Sequence, residues 1–236
     1  MPYNAFCYFY AHTYGAPAFA LQKLFSVYYQ STTYPIEDLK LESLQSYGGP
    51  CDGSLFDEYA LTSMSTDTLS FYSVDYDKMR VEKEEALGDF PAAQKFLTPC
   101  GRVAVGVHVE GRNCSHCKKC DQTMAGLYAA GKLDNFSQVF DVQDFKSHLA
   151  RRLGWWFGVD SACFTREFKV YAKKHGVKIP FGARLLEWFI ARPYMFVKHM
   201  LRNFVWARKI YYGLKLDYKL NGYRNEAQYN KYKKMM

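Results

Sequence analysis

The stretch Asn113–Lys132, NCSHCKKCDQTMAGLYAAGK, decides how this chain is read. Cys114, Cys117 and Cys120 are spaced C-x2-C-x2-C, and Cys100 stands upstream with thirteen residues between it and Cys114. A two-residue gap lets a tight turn aim neighbouring sulfurs at one point, so four thiols in this pattern suit one tetrahedral Zn²⁺. The flanks agree with that. Arg112, Lys118 and Lys119 surround a site whose four thiolates outweigh a divalent ion by two negative charges. Cations placed there also lower thiol pKa and favour the ligating form.

Other readings of the same residues stay open at this level. A [4Fe–4S] centre also uses C-x2-C-x2-C with a remote cysteine, although the ferredoxin continuation of a fourth Cys followed by Pro is missing. His116 is a substitute ligand in kind, but it lies inside a C-x-x-C gap with both flanking thiols aimed elsewhere. A disulfide framework fits poorly with seven cysteines, an odd count, and with an N-terminus that has no charged leader region. Structural zinc is the expectation, and reduced thiols point to the cytoplasm.

Charge divides the chain. Residues 1–144 carry 11 Lys+Arg against 18 Asp+Glu, a net −7, whereas residues 145–236 carry 20 against 5, a net +15. Such asymmetry marks two regions with different partners. With 49% hydrophobic and 18% aromatic residues the chain has ample core material, and no run of eighteen uncharged apolar residues predicts a transmembrane helix.

In chain order, residues 16–24 show short helical periodicity and FSVYYQSTTY reads as a strand ended by Pro35. Ser46–Ser54 is a Gly-rich loop that holds Cys51. Leu69–Val74 alternates as a second strand, with Ser65, Thr66 and Asp67 at its entrance. Asp77 then reads as an N-cap, with Lys78–Leu87 a charged helix stopped by Gly88. Arg80 and Lys83, three apart, share one face of that helix and are candidates for holding phosphate or an acidic group. The plainer reading is a solvated face dressed with Glu82, Glu84 and Glu85. Residues 91–99 predict a short helix, residues 101–113 a β-excursion, and Asp121–Ala130 a helix capped by Gly131.

STDTLSFYS, the R-x-E-K of Arg80–Lys83, FPAAQKFLTPC and NCSHCKKCDQTMAGLYAAGKLDNF, in this order, resemble the C-terminal half of PP-loop ATP pyrophosphatase-like proteins of the adenine nucleotide α-hydrolase superfamily. The 7-cyano-7-deazaguanine synthases among them end in a four-cysteine zinc site with the same spacing. The resemblance covers about half the chain, from Tyr28 to Val142. It implies an α/β fold, a partial Rossmann-like domain with the zinc site over residues 1–144, and the charge split and helical patterning add a mainly α-helical basic tail over 145–236. It also implies an ATP-dependent, adenylating, ligase-type activity on a small metabolite. Cys100, Cys114, Cys117 and Cys120 carry over as the metal ligands. Ser65, Asp67, Arg80 and Lys83 carry over only as pocket residues near a nucleotide site. The family's S-G-G-x-D-S loop, whose amides cradle pyrophosphate, does not occur in this sequence. ATP and Mg²⁺ are therefore expected only with an upstream half, and the chain by itself is expected to be inactive.

The tail predicts helices near 142–153, 164–175 and 183–210, the last broken near Pro193. Trp188, Phe189, Phe196, Phe204 and Trp206 are interleaved there with Arg and Lys. Three readings fit: packing on the first domain, contact with the inner membrane face, or nucleic-acid binding. Membrane contact ranks above nucleic acid, because the aromatic and basic residues share an amphipathic helix.

Overall fold

The computed structural model describes residues 10–38, 53–100, 113–159 and 163–203. The chain divides into two compact units, residues 1–147 with 162–178, and residues 148–161 with 179–236. The predicted β-excursion, the Cys51 loop, Arg112, Phe204 and Trp206 lie outside the described residues.

The first unit mixes helix and strand. Helix α1 (Tyr10–Ala20) precedes strand β1 (Val27–Ser31), and helix α2 (Asp57–Ser63) precedes strand β2 (Ser70–Val74). The strands pair in parallel, in register from Val27 opposite Ser70 to Ser31 opposite Val74. Parallel strands need a crossover, and their faces must be covered. Here α2 lies in the crossover and packs on β2 and on α1. Between them sits a core of Ala11, Ala18, Leu61, Leu69 and Phe71, with Phe19, Phe25 and Tyr28 against it. α1 begins six residues before the predicted start and runs through Pro17.

Helix α3 (Arg80–Gly88) starts two residues later than predicted, and Met79, not Asp77, is its cap. Two local features set that start. Asp75 adopts a left-handed φ of 58°, and the Glu82 carboxylate reaches back to accept from the Met79 N–H at 2.9 Å. Helix α4 (Pro91–Phe96) opens with proline in its first turn, where a missing N–H costs nothing. Helix α5 (Lys118–Ala129) follows the cysteines and ends, as predicted, on Gly131 at φ 70°. Helix α6 (Val142–Ser147) and α8 (Cys163–Lys174) complete this unit. α3, α5 and α8 pack together, and Met124, Leu127, Phe168 and Tyr171 are fully buried.

The second unit, as described, is helical. Helix α7 (Leu149–Val159) packs on a long helix built from α9 (Phe181–Leu186), a π turn (Glu187–Ala191) and α10 (Arg192–Asn203). The break expected near Pro193 is a widened turn instead. Proline has no N–H and crowds the preceding turn, and the π turn just before it gives room: the Arg192 N–H bonds to the Glu187 carbonyl, five residues back. Among the described residues no helix is long and apolar enough to cross a membrane.

Candidate metal centre

The four predicted cysteines meet. Cys100 comes from the segment after α4, Cys114 from the chain before α5, Cys117 from the α5 cap and Cys120 from its first turn. Their sulfurs all lie within 4.8 Å of one another. Cys117 Sγ is 3.4 Å from Cys120 Sγ and 3.9 Å from Cys100 Sγ, and Cys114 Sγ is 3.8 Å from Cys120 Sγ. A zinc ion with sulfurs at about 2.3 Å has tetrahedral edges of about 3.8 Å, so these separations fit one ion. They are far beyond a disulfide's length of about 2.0 Å, and all four thiols are free. Four cysteines at this spacing can hold a metal ion.

The surroundings explain why the thiols stay together. Cys100 and Cys120 are buried, and Cys114 and Cys117 are half-buried. Burial pushes the Cys117 thiol up, and it pushes Cys120 up further, helped by the neighbouring Cys117 sulfur. Burial thus disfavours bare thiolates at Cys117 and Cys120, and a bound cation would offset that cost. The positive end of α5 and the exposed Lys118 and Lys119 in its first turn add to that. His116 is not a fifth ligand. Its ring is exposed, with Nδ1 3.6 Å from the Asp144 carboxylate.

Asn113, to which the sequence alone assigns no role, holds the two cysteine segments in place. Its Oδ1 accepts from the Cys100 N–H at 3.2 Å. Its Nδ2 donates to the Leu97 carbonyl at 2.8 Å and to the Val139 carbonyl at 3.1 Å. One buried amide therefore joins the Cys100 segment, the Cys114 knuckle and the chain leading to α6. Ser115, at φ 58°, turns the knuckle, and its hydroxyl accepts from the Asp141 N–H at 2.8 Å. A polar residue directly before the first clustered cysteine was the available signal.

The other four candidates do not form one group. Ser65 and Asp67 precede β2, and Ser65 Oγ accepts from the Phe71 N–H at 3.0 Å. Arg80 and Lys83 lie beyond the opposite, C-terminal ends of the strands. Lys83 Nζ donates to the Thr32 carbonyl at 2.6 Å and to Thr32 Oγ1 at 2.9 Å, directly after β1. Burial holds its ammonium below the usual lysine range. Arg80 donates through Nε to Glu84 at 3.0 Å, and its backbone N–H donates to Glu167 of α8 at 2.8 Å. Glu84 is not on a solvated face, as the plainer reading of α3 had it. It is buried against Gly126 of α5, where any Cβ would collide with its carboxylate, and desolvation pushes it up to about 7 despite Arg80.

One cleft of about 640 Å³ opens between α1 and β1, lined by Tyr14, Pro17, Leu21, Phe25, Tyr28 and Tyr29. Its walls are aromatic, and the titratable groups that the described residues offer it are phenols. Neither the cysteine cluster nor Arg80 and Lys83 line it. No family model, no curated protein and no solved structure matches this chain.

Proposed function

We propose that Cys100, Cys114, Cys117 and Cys120 hold a structural Zn²⁺, and that the unit they close is the zinc-bearing, partial Rossmann-like C-terminal portion of a PP-loop ATP pyrophosphatase-like, adenylating ligase. The observation that carries the metal reading is the set of sulfur separations, 3.4 to 3.9 Å, around one point. Iron–sulfur cubanes bind each thiolate to a separate iron at the outside of a cluster, and so call for wider spacing than one ion does. Four protein sulfurs complete a tetrahedron and leave no position for water, so the ion is a staple and not a Lewis acid. Support for the ligase portion is thinner. It rests on the ordered motifs in the sequence and on the parallel pairing of β1 with β2, with α2 in the crossover.

On this reading the chain by itself does not turn over ATP, because its sequence has no S-G-G-x-D-S loop. The small-molecule substrate, ATP and Mg²⁺ belong to a complete two-part site. Metal analysis of the purified full chain tests the core of the proposal. One zinc equivalent per chain is expected, falling sharply in Cys117→Ser. Less than half an equivalent, iron in its place, or a zinc content indifferent to the substitution would overturn it.

A further inference from the structure

The long helix of the second unit is built inside out. Among its described side chains, those it buries fully are Ala183, Glu187 and Ala191, spaced four apart in one stripe. That stripe seats on Gly154 and Gly158 of α7 at backbone distance. A Cβ at Gly154 would stand 2.5 Å from the Ala183 carbonyl oxygen, and one at Gly158 2.2 Å from the Ala191 Cβ. Leu186 is half-buried beside Gly154, but the largest apolar side chains stand out in solvent: Phe189 is 75% exposed, Phe196 68%, Trp188 59% and Ile190 57%. A helix on a water-soluble core shows the reverse, an apolar stripe inward and polar residues outward. Small residues at the helix contact with bulky apolar residues outside is how helices pack when lipid surrounds them. The π turn adds to the effect, because its wider coil fans Trp188, Phe189 and Ile190 less around the axis than an α-helix would.

Charge names the kind of lipid. Residues 148–159 and 179–203 contain six Arg and Lys against one acid, Glu187. That acid is buried and taken by Arg192, Nη2 to Oε1 at 2.7 Å. The outward charge of the described helices is therefore wholly positive. Over residues 148–161 and 179–236 the count is 14 Lys+Arg against 4 Asp+Glu. The Arg192 guanidinium also lies 4.1 Å from the centre of the Trp188 ring, which joins an interfacial indole to a cation at the level where phosphate sits.

We infer that this helix docks in the surface of an anionic phospholipid bilayer, lying in it and not crossing it, with Trp188, Phe189, Ile190 and Phe196 at the acyl boundary and Arg184, Arg192 and Lys198 toward the phosphates. No described helix is long and apolar enough to cross a membrane, which agrees with an in-plane pose. A second copy of the chain is a poorer occupant, since a symmetric contact would set one cationic face against another. Single-stranded nucleic acid is poorer too, because its bases stack in a groove and these side chains stand on a convex helix. The inference is independent of the metal reading.

Co-sedimentation of the full, metal-loaded chain with phosphatidylcholine vesicles, with and without phosphatidylserine, tests it. The chain pellets with the anionic vesicles only. Trp188→Ser combined with Phe189→Ser weakens pelleting at least ~10-fold, since each side chain forfeits apolar burial in the membrane. Both positions are exposed, so helicity and metal content stay unchanged. Trp188→Phe combined with Phe189→Trp, which keeps the apolar face, retains binding. Absence of pelleting on anionic vesicles would overturn the inference, as would pelleting that the serine pair leaves untouched. So would a serine pair that converts a dimer to a monomer with pelleting unmoved, or full displacement from vesicles by single-stranded RNA.

Discussion

The two units differ in what their helix contacts bury. The first hides Phe71, Phe136, Phe140, Phe145, Phe168 and Tyr171. In the second, α7 contributes Leu153, Trp156 and Phe157 to the interior, but the side chains that the long helix buries fully, as described, are two alanines and a paired glutamate, and its Trp188, Phe189 and Phe196 stand outward. The chain's 18% aromatic content therefore does two unrelated jobs. In the first unit aromatics supply cohesion from burial, which scales with apolar area removed from water. In the second, cohesion along that contact comes from close backbone approach, and the aromatics are left for a surface. Where glycine and alanine sit separates the two cases; the aromatic content does not.

Metal removal should sharpen the contrast most. Within residues 97–100 and 113–120 the buried side chains are the small ones of Cys100, Asn113, Ser115 and Cys120, so on the metal reading Asn113, Ser115 and a bound ion hold the cluster. A structural zinc contributes on the order of 10 kcal/mol of apparent folding free energy. Chelation, or Cys117→Ser, is expected to raise hydrogen exchange across residues 113–129 to near the unfolded rate, with exchange in 149–159 and 181–203 unaltered. Protection that survives chelation in 113–129 would mean that hydrogen bonds alone hold the knuckle. Loss of protection in both units together would dissolve the distinction.

The second unit has a matching weak point at α7. Gly154→Val places a branched side chain against the Ala183 backbone, which cannot move aside as a flexible side chain would. The long helix must lift, at a cost of about 3 kcal/mol. Exchange should rise in 149–159 and 181–203, with zinc content and protection of 118–129 kept. A substitution tolerated without change in the thermal midpoint would show that the helices do not meet at the distance seen here.

Much of this was legible in the sequence where spacing was local. C-x2-C-x2-C gave the knuckle, a run of aromatic and β-branched residues gave β1, alternation over Leu69–Val74 gave β2, and Gly131 marked the end of α5. Three things were not. The parallel register joins residues 43 positions apart, and nothing local encodes it. α8 belongs with α3 through a bond from the Arg80 N–H to Glu167, 87 positions on, so a charge boundary at 144 could not reveal it. The aromatic content of 183–210 was visible, but which side of the helix faced a partner depended on Gly154 and Gly158, about thirty residues earlier. Ser65, Asp67, Arg80 and Lys83 were grouped through the family resemblance, and local spacing could not show that β2 sets the first two before its start and the last two past its end.

Glu84 is the smallest and most specific of these tests. Its carboxyl titrates near 7 in the folded chain and near 4.5 when unfolded, because burial outweighs the Arg80 guanidinium, with Glu167 nearby adding to the rise. Between those two values the folded state binds the extra proton, so stability falls as pH rises through the window. Below about 4.5 both states are protonated and above about 7 both are ionised, and the slope vanishes at either end. The full difference is about 3 kcal/mol. Glu84→Gln mimics the protonated acid and keeps an acceptor for Arg80. The variant should match the wild type in urea midpoint near pH 4.5 and exceed it progressively toward pH 8. Because other carboxylates titrate in both proteins, the difference between the two curves carries the result. An equal offset at both pH values would mean that Glu84 is ionised and satisfied at depth, and the first unit would then contain a buried charge that its packing fully compensates.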